Sequence, residues 1–140
     1  EGQAALELEM CLEDDPQLKP YSFTLLKEDH KIIVDPRAMT RELVADLQQG
    51  RSVGVISARF HKGLARGILQ VCLRLRKEYG ALPVALSGGV FQNAFLTEKV
   101  IQLLTTAEFE VLRHRQVPPN DGGLSLGQAV IAGHHLRNSG

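Results

Sequence analysis

Two segments combine residue types whose spacing could do chemistry. Residues 86–93 read Leu-Ser-Gly-Gly-Val-Phe-Gln-Asn. Paired glycines let a main chain approach a bulky ligand, and a helix opening behind them offers N–H groups to an anion. The run has neither the GxxxxGK of a P-loop nor the GxGxxG of a dinucleotide fold. On spacing alone it is a Gly-Gly turn or a nucleotide contact. Residues 117–123 read Val-Pro-Pro-Asn-Asp-Gly-Gly. Asp121 is there either a cap for the helix that begins at Leu124, or an oxygen ligand to a metal, directly or through water.

Other candidates are poorer. His30, His61, His114, His134 and His135 form no HxxxH or HExxH pair. Adjacent His134 and His135 diverge by about 100° on a helix, so they do not chelate together. A complete metal site from this chain alone is not expected. Ser87 lacks a GxSxG context, and no nucleophile setting surrounds Cys11 or Cys72. Both cysteines read as buried or half-buried reduced thiols. His61, after Phe60, reads as a surface or packed histidine, with a functional role as the alternative.

The elements that must position these residues follow from periodicity. Residues 4–12 form a helix that Pro16 cannot continue. Residues 21–26 alternate as a half-buried strand, and 32–34 form a second, giving a hairpin with a five-residue loop. Asp35 as N-cap and Pro36 at the first helical position open a helix that stops at Gly50. Ser52 starts a long helix to Tyr79, ended by Gly80, with Ile56, Phe60, Leu64, Ile68, Cys72 and Leu75 along one side. Gly54, Gly63 and Gly67 each weaken it by about 1 kcal/mol relative to Ala. Close approach of a neighbouring backbone to Gly63 and Gly67 is the expected return, and clearance for a ligand the alternative.

Residues 83–86 then form a strand, 93–106 a helix, 109–112 a strand and 124–136 a helix. Hairpin plus two strand–helix units make an α/β layer with a mixed sheet and helices packed on it. Right-handed crossover sets the last two strands parallel. Ligands gather beyond the carboxyl ends of such strands, so Gly88, Asn93 and Asp121 are expected to share one crevice.

Composition bounds the partners. The 140 residues suit one domain, and 16 basic against 16 acidic side chains give zero formal net charge. Neither a nucleic-acid footprint nor a polybasic membrane patch fits that balance. No apolar run approaches the roughly 18 to 20 residues of a membrane span, and no secretory signal opens the chain. A cytoplasmic protein is expected. The start at Glu1-Gly2-Gln3, without Met, points to a piece of a longer chain.

Four ordered motifs carry a family resemblance. They are Glu1-Gly2-Gln3-Ala4-Ala5 with Leu8-Glu9, Ala58-Arg59-Phe60-His61 to Leu64-Ala65, the 86–93 run, and Pro119-Asn120-Asp121-Gly122-Gly123 to Leu126-Gly127-Gln128-Ala129. Together they resemble the C-terminal end of the HypF carbamoyltransferases of nickel–iron hydrogenase maturation, over essentially the whole chain.

The resemblance implies a truncated lobe of the actin-like ATPase fold, one domain over residues 1–140. It implies that carbamoyl phosphate and ATP give a carbamoyl-adenylate, whose carbamoyl group passes to the C-terminal cysteine of HypE. Gly88, Gly89 and Asn93 match residues that lie against the nucleotide. Asp121 matches an aspartate that completes a divalent metal site (zinc or iron) begun by an HxxxH motif of the other lobe. That motif is absent here, as are the acylphosphatase, CxxC zinc-finger and YrdC-like parts. Alone, the chain is therefore expected to fold but to be catalytically silent, with weak or no ATP binding. An apolar face bared where the first lobe would pack is expected to drive self-association. Two other readings stand beside this one: a lobe of a TsaD-type tRNA-modifying enzyme, and a non-catalytic protein-binding module. Phe91-Gln92 within the glycine motif and the opening EGQAA favour HypF over TsaD.

Overall fold

The computed structural model describes residues 2–29 and 31–138, so Glu1, His30, Ser139 and Gly140 lie outside it. Along the chain run α1 (Gln3–Met10), β1 (Thr24–Glu28), β2 (Lys31–Asp35), α2 (Arg37–Gln48), α3 (Val53–Tyr79), β3 (Val84–Leu86), α4 (Ala94–Thr106), β4 (Val111–Arg113) and α5 (Leu124–Asn138). The α/β class and the order of elements are as expected, and β3 and β4 are parallel. The single mixed sheet is not. The β1–β2 hairpin and the β3–β4 pair are separate two-stranded ladders.

The central element is α3, and its ends are chemically marked. The Ser52 hydroxyl accepts from the Val55 N–H at 3.2 Å, and Gly80 leaves the helix at φ 82°. Its interior glycines admit neighbours. A Cβ on Gly63 would stand 2.7 Å from the Tyr21 carbonyl oxygen, and one on Gly54 would stand 2.5 Å from that of Cys11. Gly67 faces the Phe23 ring rather than backbone. No ligand clearance remains at Gly63, because Tyr21 occupies it.

That docking also corrects the first strand. Tyr21 is buried, and its N–H donates to the Arg59 carbonyl at 3.1 Å, so α3 rather than a strand partner holds it. The ladder begins only at Thr24, and its register pairs Glu28 with Lys31. The connection therefore spans residues 29 and 30 rather than five residues, with Asp29 at φ 51°. The α2 cap is shifted by one: Asp35 Oδ1 accepts from the Arg37 N–H at 3.0 Å, and Pro36 precedes the first helical residue.

A polar clamp joins α2 to α3. Tyr21 donates its hydroxyl to Asp46 Oδ2 at 2.8 Å, Arg51 Nε lies 2.9 Å from Asp46 Oδ1, and Arg59 pairs with both Asp46 and Glu42. The Arg59 guanidinium also stacks 4.2 Å over the Tyr21 ring.

The apolar core lies between α3, α4 and the parallel pair: Ala65, Leu86, Leu96, Val100, Leu104 and Phe109. Each fully buried aliphatic side chain contributes roughly 1.5–3 kcal/mol. A Schellman turn shapes the exit from α4. The Glu108 N–H reaches the Thr105 carbonyl and the Phe109 N–H the Leu104 carbonyl, both at 2.9 Å, with Glu108 at φ 60°. Phe109 is therefore the apolar closure of a helix cap, and β4 starts two residues later than expected.

The last helix forms where the periodicity sets it, two residues longer than expected. α5 buries no residue among those described, and Val130, Ile131 and Leu136 are 64%, 60% and 79% exposed. Of the two thiols, Cys72 is half-buried but Cys11 is exposed, correcting the expectation for the latter. Burial raises the Cys72 thiol above its ordinary value. Among the described residues no helix is long and apolar enough to cross a membrane.

Candidate functional site

Because β3 and β4 are parallel with Leu86 opposite Arg113, the loops that follow them leave from the same end of the ladder. They meet there. The Gly88 N–H donates to the Pro119 carbonyl at 2.7 Å, and Ser87 Oγ lies 3.2 Å from His114 Nε2. Gly88 takes φ 104° and ψ 159°, a region essentially closed to residues with a Cβ. Nothing lies within 4 Å of where its Cβ would be, and at Gly89 only Gln92 Oε1 comes to 4.0 Å. The main chain at the two glycines is thus open to a large neighbour.

Gly89–Gln92 forms one short 3-10 turn, after which Asn93 caps α4. Asn93 Oδ1 accepts from the Leu96 N–H at 2.7 Å, and Asn93 Nδ2 sits 2.9 Å from His61 Nε2. His61 is buried, with Nδ1 2.8 Å from the Ser57 carbonyl. A carbonyl can only accept, so Nδ1 carries the ring proton and Nε2 accepts from Asn93. The ring packs edge-on against Phe60 and Phe95.

A cleft of about 230 Å³ opens above this pair, lined by Glu9, Phe60, His61, Gly89 and Asn93 among others. Glu9 Oε1 accepts from the Phe95 N–H at 3.1 Å, bringing a carboxylate from α1 to the start of α4. Glu9 was not singled out as a site residue in the sequence. The signal available was a lone Glu one step off the apolar stripe of a short helix, which ordinarily marks a solvated face.

Gly88 and Asp121 do not line that cleft. Asp121 is exposed and opens the 3-10 turn Asp121–Gly123. The cap there is Asn120, not Asp121: its Oδ1 accepts from the Gly122 N–H at 3.0 Å. Gly123 is required by space, since a Cβ would stand 2.8 Å from the Pro118 carbonyl oxygen. Among the described residues no group of three His, Cys, Asp or Glu side chains is placed to hold a metal ion. One exposed carboxylate is too small a donor set for a divalent cation, so the residues present do not make a metal site by themselves. The paired His134 and His135 lie on α5, with ring centroids 6.4 Å apart.

The architecture is a small α/β unit whose two loops are joined at the carboxyl ends of parallel strands. Comparison with known proteins makes it specific. Residues 1–128 match the family model described as the carbamoyltransferase Kae1-like domain, second subdomain. The chain is 33% identical over 130 residues to carbamoyltransferase HypF of Synechocystis sp., covering 93% of this chain and 16% of that protein. It is 30% identical over 136 residues to a carbamoyltransferase HypF homolog of Cupriavidus necator, covering 94% of this chain and 34% of that one. Among solved structures, full-length HypF in its phosphate- and nucleotide-bound form superposes with a TM-score of 0.89 at 41% identity, over 97% of this chain and 18% of that one. T. kodakarensis HypF, at 24% identity and a TM-score of 0.81, shares the fold. The chain belongs to the HypF carbamoyltransferase family and spans about a sixth of the length of the Synechocystis relative.

Proposed function

We propose that this chain is the C-terminal lobe of the carbamoyl-transferring domain of a HypF-type enzyme, forming one wall of its nucleotide site within a longer polypeptide. In that reading residues 1–140 are a single domain. The complete enzyme acts in the cytoplasm, where carbamoyl phosphate and ATP give a carbamoyl-adenylate, and HypE accepts the carbamoyl group on its C-terminal cysteine.

Gly88 and Gly89 present bare main chain to the nucleotide. Asn93 spends one N–H on His61 and one lone pair on the Leu96 N–H, which leaves a second N–H and a second lone pair for the ligand. Asp121 contributes a single carboxylate to a metal whose remaining ligands come from the other lobe. The supporting observation is the Gly88–Pro119 hydrogen bond, which holds both loops at one strand end in a chain matching the family over residues 1–128. With only one wall present, the interactions that distinguish transition state from substrate are incomplete, so the chain alone is catalytically silent.

The test is Asp121→Ala in the complete carbamoyltransferase, read as bound metal and as carbamoyl transfer to HypE. Because Asp121 is exposed and Asn120 caps its turn, the variant is expected to fold normally and to lose both metal and transfer. Unchanged metal content and rate would remove Asp121 from the site.

A further inference from the structure

Four hydrogen bonds close a circuit through the cleft, and His61 is its junction. From α3, the Ser57 hydroxyl donates to the Leu8 carbonyl of α1, and His61 Nδ1 anchors on the Ser57 carbonyl. His61 Nε2 receives the Asn93 amide, and Glu9 of α1 receives the Phe95 N–H at the start of α4. No buried side-chain polar atom among the described residues lacks a partner. His61 therefore has no spare nitrogen for a ligand, and its chemistry is spent on Asn93.

We propose that His61 is a positioning residue for the nucleotide loop, fixing the Asn93 amide so that its remaining N–H and lone pair face the ligand. This rests on the nucleotide reading of the loop. An amide group can rotate by half a turn and exchange its oxygen and nitrogen. Here the rotation is blocked from both sides. Turning Asn93 would set its oxygen against the unprotonated Nε2 of His61 and its NH₂ against the Leu96 N–H, leaving acceptor on acceptor and donor on donor. With His61 replaced by an apolar side chain, only the Leu96 contact would restrain the amide.

The experiment measures ATP affinity of the complete carbamoyltransferase carrying Asn93→Ala, His61→Ala, His61→Gln or the double alanine substitution. Asn93→Ala and His61→Ala are each expected to weaken ATP binding about tenfold, the loss of one hydrogen-bonding function. His61→Gln, whose amide oxygen can stand in for Nε2, is expected to restore most of it. The double variant is expected to be no weaker than Asn93→Ala, because both act through one amide. Wild-type affinity in His61→Ala beside weakened Asn93→Ala overturns the role of His61 and leaves the nucleotide reading standing. Unchanged affinity in Asn93→Ala overturns both. If His61→Ala does not fold, nitrogen-15 spectra of the unsubstituted protein decide. An unprotonated Nε2 coupled to the Asn93 amide is expected, and a proton on Nε2 overturns the proposal.

Discussion

The amide of Gly88 donates a 2.7 Å hydrogen bond to the carbonyl of Pro119. That contact ties the loop after β3 to the loop after β4, and it depends on Gly88 holding a backbone conformation that side chains exclude. Its neighbours are otherwise distant, so the glycine is needed for its angles and not for space.

Gly88→Ala is therefore expected to cost about 1–3 kcal/mol through backbone strain alone. Urea unfolding of the chain measures it. A loss below a few tenths of a kcal/mol would mean that the loop relaxes freely and does not pin the two segments together.

Gly63 and Gly67 lie one turn apart on α3 yet are expected to respond oppositely to alanine. At Gly63 the added Cβ meets the Tyr21 carbonyl oxygen at 2.7 Å, an overpacking expected to cost about 1–3 kcal/mol. At Gly67 it meets the Phe23 ring at 3.6 Å, an ordinary contact. Relief of the helix penalty there is expected to stabilise by up to about 1 kcal/mol. Equal signs in paired denaturation curves would contradict the packing described.

The contrast shows what the sequence made legible. The bounds of α3 were readable because Ser52 and Gly80 act locally, through a cap and a positive φ. What sat in its glycine notches was not, since Tyr21 reaches Gly63 across the fold. The same long-range contact hid the true start of β1. Likewise the Asp46–Arg59–Tyr21 clamp has no periodic signature, its members lying 13 and 25 positions from Asp46. That the loops carrying Gly88 and Asp121 meet at one end of the ladder was legible, because parallel strands fix where their ends point. The partnership of His61 with Asn93 was not, as it joins two helices 32 positions apart. For α5 the periodicity marks the helix but not its cover, and nothing among the described residues buries its apolar side chains.

Asp46 links the clamp to pH. Burial pushes its carboxyl upward, but hydrogen bonds from Tyr21 and Arg59 and the charges of Arg59 and Arg51 outweigh this, leaving it below the ordinary carboxylate range. A depressed folded value means that the stabilisation is complete above the unfolded value of about 3.9 and is lost as pH falls through the folded one. The stability gap between wild type and Asp46→Asn is expected to be flat above about pH 5 and to shrink below pH 4. Tyr21→Phe is expected to cost about 1.5–3 kcal/mol near neutrality, the range for a hydrogen bond to a charged group. A gap that widens on acidification would contradict the clamp.

Glu108 occupies the left-handed position of the Schellman turn that glycine ordinarily fills. Glu108→Gly is expected to stabilise by about 0.5–1 kcal/mol, the side-chain penalty in that region less the extra chain entropy of glycine. A melting temperature that falls would show that the Glu108 side chain contributes a contact of its own.

On the proposed reading this chain is one wall of a two-walled nucleotide site. The most direct measurement is calorimetric titration of ATP into the isolated 140 residues and into the polypeptide that joins them to the first subdomain of the Kae1-like domain. Micromolar binding by the joined polypeptide, with none by the isolated chain, is the predicted result. Micromolar binding by the isolated chain, or none by the joined polypeptide, would contradict it.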